Sequence, residues 1–98
     1  MLKGYKTKGI KAIYDAGCKW ADRYTVYYSD RRGWGFLNER NAQGKNIYPC
    51  VGMSASPFHP QGVGQHGSGV LGRHNGKRID FKDLPRDCQA LVLGDLKT

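Results

Sequence analysis

No apolar run in these 98 residues approaches the roughly 18–20 that a membrane-spanning helix needs. The opening MLKGYKTKGIK is basic but lacks the apolar core of a signal peptide. Both absences point to a cytoplasmic protein, with no membrane partner. Cysteine is scarce: Cys18, Cys50 and Cys88 are odd in number and far apart, which excludes a disulfide framework. Cys88 reads as a small core residue on a helix and Cys50 as a strand residue. There is no internal repeat and no low-complexity tail. The most local absence is of charge. Residues 46–72 hold no Asp, Glu, Lys or Arg, 27 consecutive residues in a chain that is 24% charged.

What is present is positive charge and aromatic mass. Net charge is +8, of which residues 1–45 supply ten Lys/Arg against four acids and residues 46–98 six against four. A field of this sign draws polyanions, either nucleic acid or an acidic protein surface. Lys3, Lys6, Lys8 and Lys11 form a basic arm around Tyr5, and Arg31, Arg32 and Trp34 sit at an SDRRGWG turn. Lysine and arginine neutralise phosphates or carboxylates, and a neighbouring aromatic can stack on an unpaired base. These seven residues are the candidate partner-contact or nucleic-acid contact set. Helix-turn-helix, zinc-finger and RNP signatures are all missing.

The length sets one domain, residues 1–98, able to bury one modest core. Residues 1–20 read as a basic arm or a short helix weakened by Gly4, Gly9 and Gly17. RYTVYYS is the best strand, over Tyr24–Ser29. GFLNER, between two turn signals, reads as a short strand. A strand is also expected over Ile47–Met53, with Pro49 placing it at an edge or a bulge. A third is expected over Lys77–Phe81, after the tight turn Asn75-Gly76. Leu84, Cys88, Leu91, Val92 and Leu96 recur at helical spacing, which predicts an amphipathic helix over 84–96. Asp83 is a candidate N-cap for it, or Leu84 is the cap with Pro85 in the first turn. The fold class expected is α+β: a small antiparallel sheet, this helix packed on it, and a long Gly/His-rich loop.

That loop, over 54–76, contains PFHPQGVGQHG and is longer than a structureless connection usually is. His59, Gln61, Gln65 and His66 supply donors and acceptors without fixed charge, either shaping the loop or touching a partner. We expect His59 and His66 to be clamps on the loop backbone, each worth about 1–3 kcal/mol. GVGQHG fits G-x-G-x-x-G but has no strand before it and no helix after it, so nucleotide binding is not expected. Cys50, His59, His66 and His74 are separated by eight, six and seven residues, with no close pair to nucleate a zinc site. No metal and no cofactor are expected. His59, His66, Ser54, Ser68, Asp80 and the cysteines stand in no catalytic pattern, so no enzyme is expected.

The combination of RYTVYYSD, CVGMSASPFHPQGVGQHG and GKRIDFKDLPRDCQALVLGDL resembles a group of small uncharacterised proteins of bacteria and their phages that share a PFHPQG-x-GQHG loop. The resemblance covers roughly residues 20–98. It implies a phage or mobile-element setting, hence a host cytoplasm, and no known activity. Small phage proteins often act stoichiometrically on host machinery. The expected function is therefore a non-enzymatic binding protein that modulates a host factor through an acidic protein surface. The alternative is a nucleic-acid-binding accessory protein that uses the basic N-terminal half.

Overall fold

A computed structural model describes residues 9–17, 22–29 and 44–97. Lys3, Lys6, Lys8, Arg31, Arg32, Trp34 and the GFLNER segment lie outside the described residues. Within them the chain is an α+β fold. Strands β1 (Ile10–Asp15), β2 (Tyr24–Tyr28), β3 (Tyr48–Met53), β4 (Gly64–Gly69) and β5 (Lys77–Arg78) form one antiparallel sheet in the order β4-β3-β2-β1-β5. Helix α1 (Arg86–Lys97) follows.

The sheet is covered differently on its two faces. Register places Ile13, Val26, Val51 and Met53 on one face, where they pack with Leu84, Cys88 and Val92 in the main core. This is the helix face, and the apolar stripe of α1 lies on it as its spacing predicts. Cys88 is fully buried there and its thiol donates to the Ser54 carbonyl at 3.1 Å. Asp83 does not cap α1. It closes a single 3-10 turn, Phe81–Asp83, in which its carboxylate accepts from the Asp80 amide.

The opposite face carries Ala12, Tyr14 and Tyr27, a second buried cluster against which Tyr48, Cys50 and Leu71 pack. Its cover comes from the connection between β4 and β5. These strands are the two outer edges, four strand spacings or about 19 Å apart. Residues 70–76 bridge that gap, and seven residues reach about 23–25 Å when extended. They run across the sheet as a strap. The Tyr27 hydroxyl donates to Asn75 Oδ1 at 2.9 Å and approaches the Val70 carbonyl at 3.3 Å. The Gly72 amide donates to the Tyr14 hydroxyl, and the Asn75 side chain donates to the Val70 and Gly72 carbonyls. Gly76 is where the strap meets the sheet: φ is +111°, and a Cβ there would sit 2.5 Å from the Asp15 carbonyl oxygen. Only glycine fits.

Three sequence expectations change. Residues 10–15 are strand β1, neither arm nor helix. Lys11 sits at a register shift between Ile10 and Ala12, so Ala12, Ile13 and Tyr14 are all buried in succession. A strand covered on both faces shows no alternation. The 54–76 segment is not one loop: it is a tight connection over 54–63, then β4, then the strap. β4 has no intrinsic strand propensity, and its pairing to β3 along six residues creates it. Finally, β3 is internal, although it holds Pro49. The β2–β3 pairing stops at Tyr27↔Cys50, so the position where Pro49 lacks its N–H falls beyond the ladder. The expected third strand is shorter, with two residues, and Phe81 belongs to the 3-10 turn.

Candidate binding face

The 54–63 connection holds its shape by its own hydrogen bonds. Ser54 N donates to the Val63 carbonyl, and Val63 N donates to Ser54 Oγ. His59 Nδ1 accepts from the Gln61 amide at 3.0 Å, a backbone clamp of the expected kind, though an exposed one. His66 is placed otherwise. It sits on β4, and its Nε2 lies 2.8 Å from Asp95 Oδ2 on α1. The buried Tyr28 donates its hydroxyl to the same oxygen at 2.6 Å. Asp95 therefore ties the edge strand, the sheet and the helix together. Gln65 projects on the strap face and is exposed. The structure does not bring His59, Gln61, Gln65 and His66 to one point.

Catalytic and metal chemistry find little here. Burial pushes the Cys50 and Cys88 thiols from 9.0 up to about 11, so both are protonated at neutral pH and are poor nucleophiles. Among the described residues no three His, Cys, Asp or Glu side chains are grouped to hold a metal ion. GVGQHG runs into β4 instead of opening a helix.

The charged feature lies beside the strap, at the β5 edge. A shallow hollow of about 550 Å³ is lined by Tyr14, Gly72, Arg73, Gly76, Lys77 and Arg78. Arg73 projects from the 3-10 turn Arg73–Asn75, and Lys77 and Arg78 from β5, all exposed. Arg78 is paired with Tyr14 across β1–β5, and its guanidinium carbon lies 5.9 Å from the Tyr14 ring centre. It also donates to the Lys11 carbonyl at 3.3 Å. Lys11 itself is exposed, with its ammonium 5.6 Å from the Tyr48 ring centre.

None of Arg73, Lys77 and Arg78 forms an ion pair with a carboxylate of the described residues. Asp15, the nearest acid in sequence pairing, is taken by Arg23: Nε and Nη2 donate to its two oxygens at 2.7 and 3.0 Å. That guanidinium, with the Gly17 amide, holds the Asp15 carboxyl below its ordinary value despite desolvation. The site is thus a cationic hollow whose neighbouring acid is already neutralised.

Arg73, Lys77 and Arg78 were not singled out by sequence. Their signal was the return of charge, as R-x-x-x-K-R, at the end of the uncharged run. Only the strap brings Arg73 against β5. No family model matches the chain, and neither a curated protein nor a solved structure matches it. No helix among the described residues is long and apolar enough to cross a membrane.

Proposed function

We propose that the chain is a small non-enzymatic binding protein that docks through its cationic hollow on an acidic protein surface, and so modulates a host factor stoichiometrically in a phage or mobile-element setting. The observation that carries this reading is the hollow itself. Three exposed cations converge at the strap–β5 junction without an internal counter-ion. Guanidinium groups favour planar, bidentate carboxylate partners. Tyr14 is only 7% exposed, and the edge of its ring meets Tyr27, so it offers no platform to a base. Phe58, 62% exposed on the 54–63 connection, supplies an apolar side chain of the type enriched at protein interfaces.

A nucleic-acid reading keeps one specific support. Arg78 reaches the Lys11 carbonyl, which links the hollow to the strand that the basic residues Lys3, Lys6 and Lys8 precede. On duplex DNA each phosphate contact steepens the salt dependence by about 0.9 in log–log slope. A pull-down from bacterial lysate with and without nuclease separates the two. Protein capture that survives nuclease supports the acidic-protein reading. Capture lost on nuclease treatment rejects it in favour of nucleic acid.

A further inference from the structure

The two edges of the sheet are built on opposite plans. Edge strands expose backbone donors and acceptors, and proteins commonly blunt them with short length, charge or proline. β5 is blunted: it has two residues, both cationic. β4 is not. It runs six residues, Gly-Gln-His-Gly-Ser-Gly, with no fixed charge and no proline, and five of the six are exposed. The Ser54 N–H to Val63 carbonyl bond fixes the parity of the β3–β4 ladder. By alternation Gln65 and Gly67 turn their backbone groups toward β3, while those of Gly64 and Ser68 point to the outer edge.

A second feature adjoins this edge. On the strap face lies a hollow of about 280 Å³, and β4 forms one wall of it. Its floor is Gly52 and Cys50, its walls include Thr25, Gln65 and Asp22, and Gly67 opens it toward the edge. A Cβ on Gly67 would meet nothing within 4 Å. Asp22 lies over Gly52, with Oδ2 3.0 Å from the position of a Cβ there, and it makes no ion pair or hydrogen bond with a described residue. The volume lies just under the roughly 300–1,000 Å³ of small-molecule sites. It suits a single long side chain.

We infer that β4 accepts an extended segment of the partner as an added strand, and that a Lys or Arg of that segment enters the adjoining hollow to meet Asp22. The backbone ladder supplies affinity and the hollow supplies selectivity, the division of labour of strand addition. A side chain from a strand laid beside β4 on this face passes over Gly67, where nothing obstructs it. The charge of +8 on every copy argues against a second copy of this chain as the occupant. The inference rests on the reading of the chain as a protein-binding module but uses a different surface from the cationic hollow.

The test uses the full chain, labelled with 15N, and a blocked heptapeptide of alternating Thr and Val with Lys at its centre. Binding at or below about 1 mM, with amide shifts concentrated at Gly52, Gly64, Gln65, Gly67 and Ser68, is the expected result. A Glu-centred peptide, and one with Pro on each side of the Lys, bind at least about tenfold more weakly. Gly67→Leu fills the hollow without a clash, so it weakens binding at least about tenfold with Tm not lowered. Asp22→Asn removes the preference for Lys over Glu. No shifts at about 1 mM peptide, or undiminished binding by the Pro-flanked peptide or by Gly67→Leu, overturns the inference. Arg73→Glu/Arg78→Glu leaves peptide binding within about twofold, so loss of acidic-partner capture and loss of strand addition are read separately.

Discussion

Replacing Tyr27 by Phe tests whether the strap is held to the sheet by the contacts described. The ring is buried at 3% exposure and the substitution leaves it in place. Only the hydroxyl goes, and with it the 2.9 Å bond to Asn75 Oδ1 and the long 3.3 Å approach to the Val70 carbonyl. The Val70 carbonyl keeps a donor in Asn75 Nδ2, so it is not orphaned. Asn75 Oδ1 loses its partner in a half-buried site that water reaches in part. An ordinary bond contributes about 0.5–1.5 kcal/mol net, and an orphaned buried acceptor costs about 1–3 kcal/mol, so the loss is about 1–2 kcal/mol. Urea denaturation reads this directly, and Tm falls by about 4–8 °C for each kcal/mol. A second substitution sharpens the test. A Cβ on Gly69 would stand 2.7 Å from the Tyr27 hydroxyl oxygen but 3.3 and 3.4 Å from the nearest ring carbons. Gly69→Ala therefore destabilises the natural protein and is much milder in the Tyr27→Phe background. Equal effects in the two backgrounds, or a Tyr27→Phe protein as stable as the parent, refute the strap account.

Other outcomes follow from the same contacts. Stability against pH is flat between about pH 4 and 9. Above it the buried Cys50 and Cys88 thiols (9.0 up to about 11) and the Tyr27 phenol (10.0 up to about 12) hold protons that the unfolded chain has released. Stability therefore falls as pH rises through 9 to 12, whereas on the acid side it falls below about pH 4, where Asp15 loses its Arg23-stabilised charge. Denaturant midpoints across pH 3–11 check both limbs. Gly76→Ala lowers stability by more than about 1 kcal/mol, from positive φ and a Cβ clash, while Gly94→Ala, on an exposed turn of α1 with nothing within 4 Å, raises it by up to about 1 kcal/mol. His59→Ala changes stability by no more than about 0.5 kcal/mol because water replaces the exposed clamp. His66→Ala costs about 1 kcal/mol or less, since Asp95 keeps the Tyr28 hydroxyl. Thermal melts of the two variants check these values.

The parts of the fold readable in the sequence are those whose apolar pattern has one buried face. The α1 stripe and the Tyr24–Tyr28 strand are of this type, and both lie where periodicity puts them. β1 was hidden because the bulge at Lys11 and burial on both faces break the period-2 signal. β4 was hidden because Gly, Ser and Gln carry no strand preference, so only the partner strand makes it one. The site was hidden for a related reason. Arg73 and Arg78 are neighbours of Tyr14 only because the strap returns the chain across the sheet, a long-range contact with no local signature. His59 was legible as a clamp since its bond is two residues away, while the His66–Asp95 contact spans 29 residues and was not.

The central claim is that the hollow of Arg73, Lys77 and Arg78 docks an acidic protein. Capture from nuclease-treated lysate by the natural chain and by Arg73→Glu/Arg78→Glu, matched for thermal stability, tests it most directly. The account predicts a protein retained by the natural chain at low salt, weakened by added salt and lost with the double variant. Equal retention by both chains would contradict it.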